Sequence, residues 1–342
     1  MISAAMSPNR SDLSPRAGMS KEVPLDASLK EAVQLCHESL QTDFAGFAER
    51  LHLSHKKPED WFRLLRGLPE GPNLETLKNI RAAAEAGQEG CAPDAVARFA
   101  LLQAILAAAP MIPALPVHIG VKRRFGSLFK LVARPGRSWP GKPLLDRFTD
   151  DNWPFLEMAG IVTLQRFPAG QHDWVVSGFR RSWLLRIPPL ALPRLLHEVA
   201  FGLGGFRPLV RIHINRWRPN PLLLLPSEAA RSYYRIARSI EMQPEIRGLI
   251  GLSWFYSKTV GEVSPHLSWL RDFFVENGGT VIEAEPAAPD SGVMIGSAKR
   301  RQTFTPGGIW PRNTFVLWRR EDMLAWARNH PELAGEDRGT GD

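Results

Sequence analysis

The chain of 342 residues contains none of the short motifs that identify the common catalytic, metal-binding and nucleotide-binding sites. Neither GxGxxG nor GxxxxGKS/T occurs, so conventional dinucleotide binding and P-loop phosphotransfer receive little support. The nine histidines form no HExxH or HxD pattern, and no GxSxG turn is present. These absences argue against zinc-dependent hydrolysis and α/β-hydrolase chemistry, and no metal site is predicted.

Cysteine is scarce as well, since only Cys36 and Cys91 are present. Two cysteines outside any CxxC motif are too few for a disulfide framework, so a reducing, cytoplasmic location is expected. The first 30 residues lack the continuous apolar core of a secretory signal. They are expected to form a disordered tail.

Charge is missing from residues 99–120, a stretch of 22 residues that is long enough to cross a bilayer. Pro110, Pro113 and Pro116 argue against a spanning helix, because each proline removes a backbone donor. We therefore expect a buried helix followed by an extended turn, and no membrane span.

Positive charge is concentrated in the middle of the chain. Residues 121–240 hold 20 Lys and Arg against 7 Asp and Glu, whereas the rest of the chain holds 23 against 28. Such a basic block predicts an anion nearby, which could be a small anionic ligand, nucleic-acid phosphate or an acidic partner. General arginine-rich composition is the alternative explanation, since the chain has 33 Arg and 10 Lys.

The apolar patterning predicts helices first and a mixed sheet later. Four amphipathic segments are expected to be helical, at residues 28–51, Pro58–Leu68, Asn73–Glu85 and Pro93–Ala109. From Ile161 onward, short strands alternate with helices, which predicts an α/β or α+β fold with a mixed sheet covered by helices. The predicted domains are a tail at 1–27, a helical subdomain at 28–118, a basic Pro- and Gly-rich connection at 119–158, a mixed α/β domain at 159–330 and a tail at 331–342.

The most informative segment is RIHINRWRPN at residues 211–220. In a strand, Val210, Ile212 and Ile214 would lie on one face and Arg211, His213 and Asn215 on the other. We expect the polar face to be solvated or to line a pocket with later residues. Candidate catalytic residues are His213, Tyr256 and His266, and candidate substrate-binding residues are Arg211, Asn215, Trp254, Arg231 and Arg235.

His266 belongs to SPHLSWLRDFFVENGG, where Ser264 is an expected N-cap and Gly278 an expected helix end. In the first turn, His266 would meet free backbone donors that favour its neutral form and could also bind an anion. Arg231 and Arg235 share one face of the helix that follows the apolar run Leu222–Leu225.

The order of elements between about residues 208 and 319 resembles the carboxy-terminal half of the GNAT acyltransferase fold. In that family a strand, helix, strand, helix and two closing strands follow one another, and LRDFFVENGGTVIE is similar to its helix, glycine turn and strand. The resemblance implies acyl transfer from acyl-CoA or another acyl donor. The family's pyrophosphate loop, Gln/Arg-x-x-Gly-x-Gly/Ala, is expected after Leu222–Leu225, where this sequence reads PSEAARS.

Two functions of different classes follow from these observations. The first is an enzyme that acts on a small anionic or amide-containing substrate, with group transfer such as acyl transfer favoured because no redox cofactor motif is present. The second is a protein that binds nucleic acid or an acidic partner through its basic block. Its candidate contacts are Lys122, Arg123, Arg124, Arg180, Arg181, Arg216, Arg218 and residues 299–301. The oligomeric state is not predicted.

Overall fold

The computed structural model describes residues 26–50, 55–68, 75–80, 82, 95–134, 153–215, 224–288, 298–304 and 309–338. They form two compact units. The sheet unit comprises residues 175–213 and 240–332, and the helical unit comprises residues 20–174, 214–239 and 333–342. The predicted fold class is confirmed, because helices come first and a mixed sheet of six strands with further helices follows.

The helical unit begins with α1 (Ala27–Thr42), whose N-terminus is capped by Asp26. The Asp26 carboxylate accepts a hydrogen bond from the backbone N–H of Leu29 at 2.8 Å, which satisfies one of the free donors at the helix start. The later helices are α2 (Phe47–Arg50), α3 (Pro58–Arg66), α4 (Ala95–Ala108), α5 (Ile119–Ala133), α6 (Trp153–Val162) and most of α8 (Pro226–Glu241).

Buried aromatic side chains form the centre of the amino-terminal helices. The ring of Phe99 on α4 lies 5.1 to 5.6 Å from the rings of Phe44, Phe47 and Trp61, distances at which tilted and edge-to-face contacts are favourable. Three of the four predicted helices thus pack together through one aromatic cluster. The expected helix at Asn73–Glu85 is helical at 75–80, and much of the rest lies outside the described residues.

The apolar stretch predicted to be a buried helix is α4 followed by a 3₁₀ helix, Ala109–Ala114, in place of an extended turn. Within the described part of the chain, the helical stretch Ala95–Ala114 is long enough and apolar enough to cross a membrane. In the structure, 61% of its most apolar part is buried. A buried helix in a protein core can have the same length and composition, so these two properties are weak evidence for a membrane span.

Strands β1 (Phe167–Pro168) and β2 (His172–Ser177) form an antiparallel hairpin, in which Phe167 pairs with Trp174. The hairpin turn and β1 belong to the helical unit, whereas the sheet unit contains nearly all of β3 (Leu209–Ile214) together with β4 (Gly248–Ser253), β5 (Thr280–Pro286) and β6 (Arg312–Arg319). Strands β3 and β4 are parallel, β6 is antiparallel to both β4 and β5, and β5 lies next to β6 at the edge. The element order predicted for residues 208–319 is therefore confirmed.

The remaining helices of the sheet unit are short. They are α7 (Leu192–His197), α9 (Lys258–Val263), α10 (Trp269–Glu276), α11 (Ala298–Thr303) and α12 (Arg320–Asn329). One face of the sheet packs against a core that includes Phe179, Trp183, Leu195, Phe315 and Leu317. This core fixes the strands that carry the candidate site.

Three local predictions were wrong. Strands were expected from Ile161 onward, but Ile161 and Val162 end α6, and the strand β1 begins only at Phe167. The apolar run Leu222–Leu225 precedes a helix, where the resemblance places a strand, but Leu224 and Leu225 are not in one, and the first half of the run lies outside the described residues. The Ser264 side chain forms no capping hydrogen bond, because a 3₁₀ turn at Pro265–Leu267 precedes α10.

An ion pair between a buried carboxylate and a partly exposed guanidinium joins the residue after α7 to the end of β6. Glu198 follows α7, is 6% exposed and accepts hydrogen bonds from Arg319 Nε at 2.7 Å and Arg319 Nη2 at 2.9 Å. The hydrogen bonds from the Arg319 guanidinium, which outweigh the effect of burial, hold the pKa of Glu198 below its ordinary value. The pair therefore makes stability depend on pH.

Replacing Glu198 with glutamine should lower the free energy of unfolding by about 1 to 2 kcal/mol at pH 7, since a charge-assisted pair is lost beside a partly solvated guanidinium. A lowered folded-state pKa means that the carboxylate stabilises the fold above its unfolded pKa, and that this contribution disappears as the pH falls through the folded pKa. Urea unfolding of both proteins from pH 7 to pH 3 measures the difference. A difference that stays constant over this range would contradict the assignment.

Candidate functional site

The parallel strands β3 and β4 separate toward their carboxyl ends. Their register pairs Val210 with Leu249 and Arg211 with Ile250, and the described residues of the two strands form no further pair beyond these. On its other side, β4 remains paired with β6 as far as Ser253 and Thr314. A crevice outside the carboxyl ends of neighbouring parallel strands is where open α/β sheets generally bind ligands.

The polar face of β3 carries two of the predicted site residues in direct contact. The Nε–H group of Arg211 donates a hydrogen bond to His213 Nε2 at 3.1 Å. Both side chains are half-buried, whereas Val210 and Ile212 on the opposite face are buried. The predicted alternation of β3 is therefore present. An accepting Nε2 also requires a neutral imidazole that carries its hydrogen on Nδ1.

Two further predicted residues follow β4 in a 3₁₀ turn, Trp254–Tyr256. The turn is capped by the Ser253 hydroxyl, which accepts a hydrogen bond from the N–H of Phe255 at 3.2 Å. Trp254 is 6% exposed, and the guanidinium of Arg300 lies 5.4 Å from the centre of its ring. Trp254 is thus part of the core of this unit, held by a cation–π contact.

Tyr256 is buried against both β4 and α10. A Cβ atom on Gly251 would come within 3.2 Å of the Tyr256 hydroxyl, so the absence of a side chain at Gly251 makes room for the phenol. The Phe274 ring meets the Tyr256 ring edge-on at 5.7 Å. Burial raises the pKa of the Tyr256 phenol far above its ordinary value. Tyr256 therefore stays protonated throughout the physiological range, and burial makes its phenol a weaker acid than an exposed one.

A cavity of about 270 Å³ lies beside this turn. His266 is exposed in the 3₁₀ turn that contributes Leu267 to the cavity wall. The wall carries charges of both signs and is lined by Phe255, Ser257, Lys258, Gly261, Glu262, Leu267, Ser268, Arg271 and Asp272. A larger open groove of about 540 Å³ lies along β5 and is lined by Pro188, Ala191, Arg194, Val281, Ile282, Glu283 and Arg312.

The other predicted substrate-binding residues belong to the helical unit and make internal contacts. Asn215 is 5% exposed and donates from Nδ2 to the carbonyl of Gly170 at 3.1 Å. Arg235 is 2% exposed and donates to the carbonyl of Ala169 at 2.8 Å. Arg231 forms an ion pair with Glu228 one turn earlier in α8. Asn215 and Arg235 therefore hold the turn of the β1–β2 hairpin.

The basic cluster at the start of α5 is likewise only partly exposed. Lys122 Nζ donates to the carbonyl of Pro113 at 2.6 Å, and burial lowers the pKa of its ammonium group. Arg124 is half-buried, and its guanidinium carbon would lie 3.4 Å from a Cβ on Gly170, whereas Arg123 is exposed. Arg216 and Arg218 lie outside the described residues. Within this cluster, Arg123 is thus the residue most accessible to a phosphate.

Sequence reasoning missed a buried charge cluster in the helical unit. Arg166 Nε donates to Asp173 Oδ2 at 3.0 Å, and Arg166 Nη2 lies 3.3 Å from Glu157 Oε1. All three side chains are less than 9% exposed. Alongside, the rings of His172 and Tyr233 stack at 4.8 Å. His172 and Asp173 lie side by side in the sequence with no recognisable motif around them, and Glu157 lies too far away in sequence for a short motif to reveal the cluster.

Searches with family models and against curated proteins find no match. Among solved structures, the chain resembles an acyltransferase in complex with decanoyl-CoA, with a TM-score of 0.46, 15% identity and coverage of 90% of this chain and 92% of that chain. An acyltransferase in complex with CoA and 10C-teicoplanin matches over the same shares with a TM-score of 0.44 and 14% identity.

Proposed function

We propose that this protein is an acyltransferase that moves an acyl group from a thioester donor, such as an acyl-CoA, to an amine or hydroxyl of an acceptor. The observation that carries the proposal is the separation of β3 and β4 beyond the pair Arg211 and Ile250. His213 lies on β3, two residues after Arg211, and Tyr256 lies in the turn that follows β4. His213 is thus a candidate base beside the crevice, whereas the Tyr256 hydroxyl packs against Gly251 on the opposite face of the sheet.

Acyl transfer needs one group that accepts a proton and one that donates a proton. His213 Nε2 has a lone pair, now used by Arg211, that can accept the proton of an attacking amine or hydroxyl. As the new C–N or C–O bond forms and the C–S bond breaks, the departing thiolate needs a proton. The imidazolium that His213 forms when it takes the acceptor's proton can supply it, which returns the side chain to its starting state.

Arg211 has two roles in this scheme. Its hydrogen bond orients the His213 ring and fixes the tautomer before the acceptor arrives. Its guanidinium also provides positive charge near the crevice, where the phosphates of an acyl carrier would need it. No canonical pyrophosphate loop precedes α8, and the backbone N–H of Leu225 already donates to Gln171 Oε1 at 2.9 Å. The phosphates would therefore depend more on side chains than on a backbone cradle.

A thermal-shift screen with acetyl-CoA, octanoyl-CoA, free CoA, ATP and a short DNA duplex tests the proposal. A ligand present at 100 times its Kd stabilises the folded state by about 2.7 kcal/mol, which raises Tm by several degrees in a protein of this size. We expect a shift with the CoA compounds at both 50 and 200 mM salt, and release of free thiol when a panel of primary amines and alcohols is added. A shift with DNA alone that fades with salt would favour the nucleic-acid alternative.

Replacing Tyr256 with phenylalanine should leave kcat and KM for acyl transfer within about twofold of the wild-type values, because the hydroxyl packs against Gly251 on the face of the sheet opposite His213 and its raised pKa makes it a poor acid. Steady-state kinetics with an acyl-CoA that the screen identifies measures this effect. Tyr234→Phe is the matched control, since Tyr234 is 6% exposed and Tyr256 5% exposed, but Tyr234 belongs to the helical unit. A kcat for Tyr256→Phe about tenfold or more below that of Tyr234→Phe would contradict this prediction and make the phenol a catalytic group.

A further inference from the structure

The segment from Arg180 to Phe201 has one side in the core of the sheet unit and the other side in solvent. Trp183, Ile187, Leu195 and Val199 are buried in the core cluster. Most residues between them are exposed, although Leu184, Ala191 and Leu192 also pack partly against the core. The segment consists of a 3₁₀ helix, Arg181–Arg186, followed by α7 and a π-helical turn, Glu198–Gly202. The segment therefore presents a second, outer surface that the core does not use.

This outer surface is unusually apolar. Leu185 is 90% exposed, Leu190 98% and Phe201 78%, and Leu196 is also exposed. These four are nearly half of the nine exposed large apolar side chains among the described residues, although the segment is short. Exposed apolar side chains that occur singly need no explanation, but a concentration of them marks an interaction surface.

The same surface is positively charged. Arg180, Arg181, Arg186 and Arg194 are exposed, and between residues 178 and 207 Glu198 is the sole acidic residue. Glu198 is buried and paired with Arg319, so it does not offset the surface charge. Arg186 Nη1 lies 3.4 Å from Glu285 Oε1 in an exposed ion pair. Such a pair is weak, so it offsets little of the positive charge of this surface.

We propose that this outer surface, formed by Leu185, Leu190, Leu196, Phe201 and the four arginines, binds the surface of an anionic lipid membrane. The apolar side chains would enter the boundary between headgroups and acyl chains, and the guanidinium groups would pair with lipid phosphates and carboxylates. A fluid bilayer accepts single protruding side chains without a complementary pocket, whereas a protein partner would need one. Binding in the plane of the surface requires no membrane-spanning helix and is independent of the proposed acyl transfer.

Flotation of the full-length protein with lipid vesicles tests the proposal. We expect binding to vesicles of 70% phosphatidylcholine and 30% phosphatidylglycerol, weak binding to pure phosphatidylcholine, and a decrease in binding as salt is raised from 50 to 300 mM. The double variant Leu185→Ser, Leu190→Ser should lower the partition coefficient at least tenfold, because two large apolar side chains no longer enter the bilayer. Arg180→Gln with Arg181→Gln should lower it by a similar factor and reduce the salt dependence.

Ile309→Ser is the matched control, since Ile309 is 55% exposed in the same unit but outside the segment. All variants should keep the wild-type circular dichroism spectrum and Tm, because the changed side chains are exposed. The proposal is overturned if the wild-type protein does not float with anionic vesicles at 50 mM salt, or if Ile309→Ser loses as much binding as the double leucine variant. A dimer in sedimentation velocity that the leucine variant abolishes, without vesicle binding, would assign the surface to a second copy of the chain instead.

Discussion

Replacement of His213 with alanine should lower kcat/KM for acyl transfer by about 10² to 10⁴, the contribution that general acid–base catalysis by one positioned side chain usually makes. The side chain is half-buried on β3, and its Nε2 is held by Arg211 at 3.1 Å, so alanine removes the proton acceptor without removing a core residue. The fold should survive, and circular dichroism and Tm should stay close to the wild type. Steady-state kinetics measures the loss.

The matched control for this experiment is His197→Ala. His197 is exposed at the end of α7 in the same unit, and its ring lies 5.1 Å from that of Phe201. Loss of the His197 side chain should leave kcat/KM within about a factor of two of the wild-type value, because His197 lies on α7, which is a different element from β3 and β4. If His213→Ala turned over as fast as His197→Ala, the acyltransferase proposal would lose its base and would have to be abandoned in this form.

Replacement of Arg166 with methionine should destabilise the helical unit by about 3 to 5 kcal/mol, because removal of one partner from a buried ion pair strands the opposite charge. Methionine keeps most of the volume of the arginine side chain, so the change in the free energy of unfolding reflects the lost charge rather than a new cavity. The carboxylates of Asp173 and Glu157 would lose the guanidinium that lies 3.0 and 3.3 Å away. Urea unfolding at pH 7, followed by circular dichroism, gives the change in free energy.

Arg63→Met provides the comparison for an exposed pair in the same unit. The Arg63 side chain is 74% exposed and lies 3.3 Å from Asp60 one turn away, a geometry that typically contributes little. We expect its loss to change the free energy of unfolding by less than about 0.5 kcal/mol. Similar effects of the two substitutions would show that the buried cluster does not stabilise the unit through its charges.

The strands of the sheet unit could be predicted well because alternation is a local signal. Val210 and Ile212 are buried and Arg211 and His213 are not, as the period of two requires. The glycine that ends α10 was also predictable, since Gly278 adopts a φ of +83° that other residues rarely accept. These features depend on a few neighbouring residues and on no distant contact.

The errors arose where neighbouring elements outweighed local preference. Ile161 and Val162 favour strands as β-branched residues, yet they extend a helix that begins at Trp153, and Thr163 Oγ1 donates to the carbonyl of Ala159 at 2.7 Å at its end. The positive φ of Leu164, +58°, then turns the chain toward β1. A propensity scale cannot anticipate a helix that has already started upstream.

The candidate site was only partly predictable for the same reason. The contact between Arg211 and His213 follows from their spacing of two residues on one strand. The inward contacts of Arg235 and Asn215 do not, because their partners Ala169 and Gly170 lie more than 40 residues earlier in the chain. A row of arginines at helical spacing looks the same in sequence whether it binds a ligand or an internal carbonyl.

Most of the helical unit comes from two separate stretches of chain, residues 20–174 and 214–239, with sheet residues between them. During synthesis, the β1–β2 hairpin therefore leaves the ribosome well before α8, whose Arg235 binds the carbonyl of Ala169. At translation rates of about 5 to 20 residues per second, the wait lasts several seconds. A fragment that ends at residue 174 would never receive that arginine, so we expect neither a stable amino-terminal fragment nor completion of the helical unit until more than two thirds of the chain has been made.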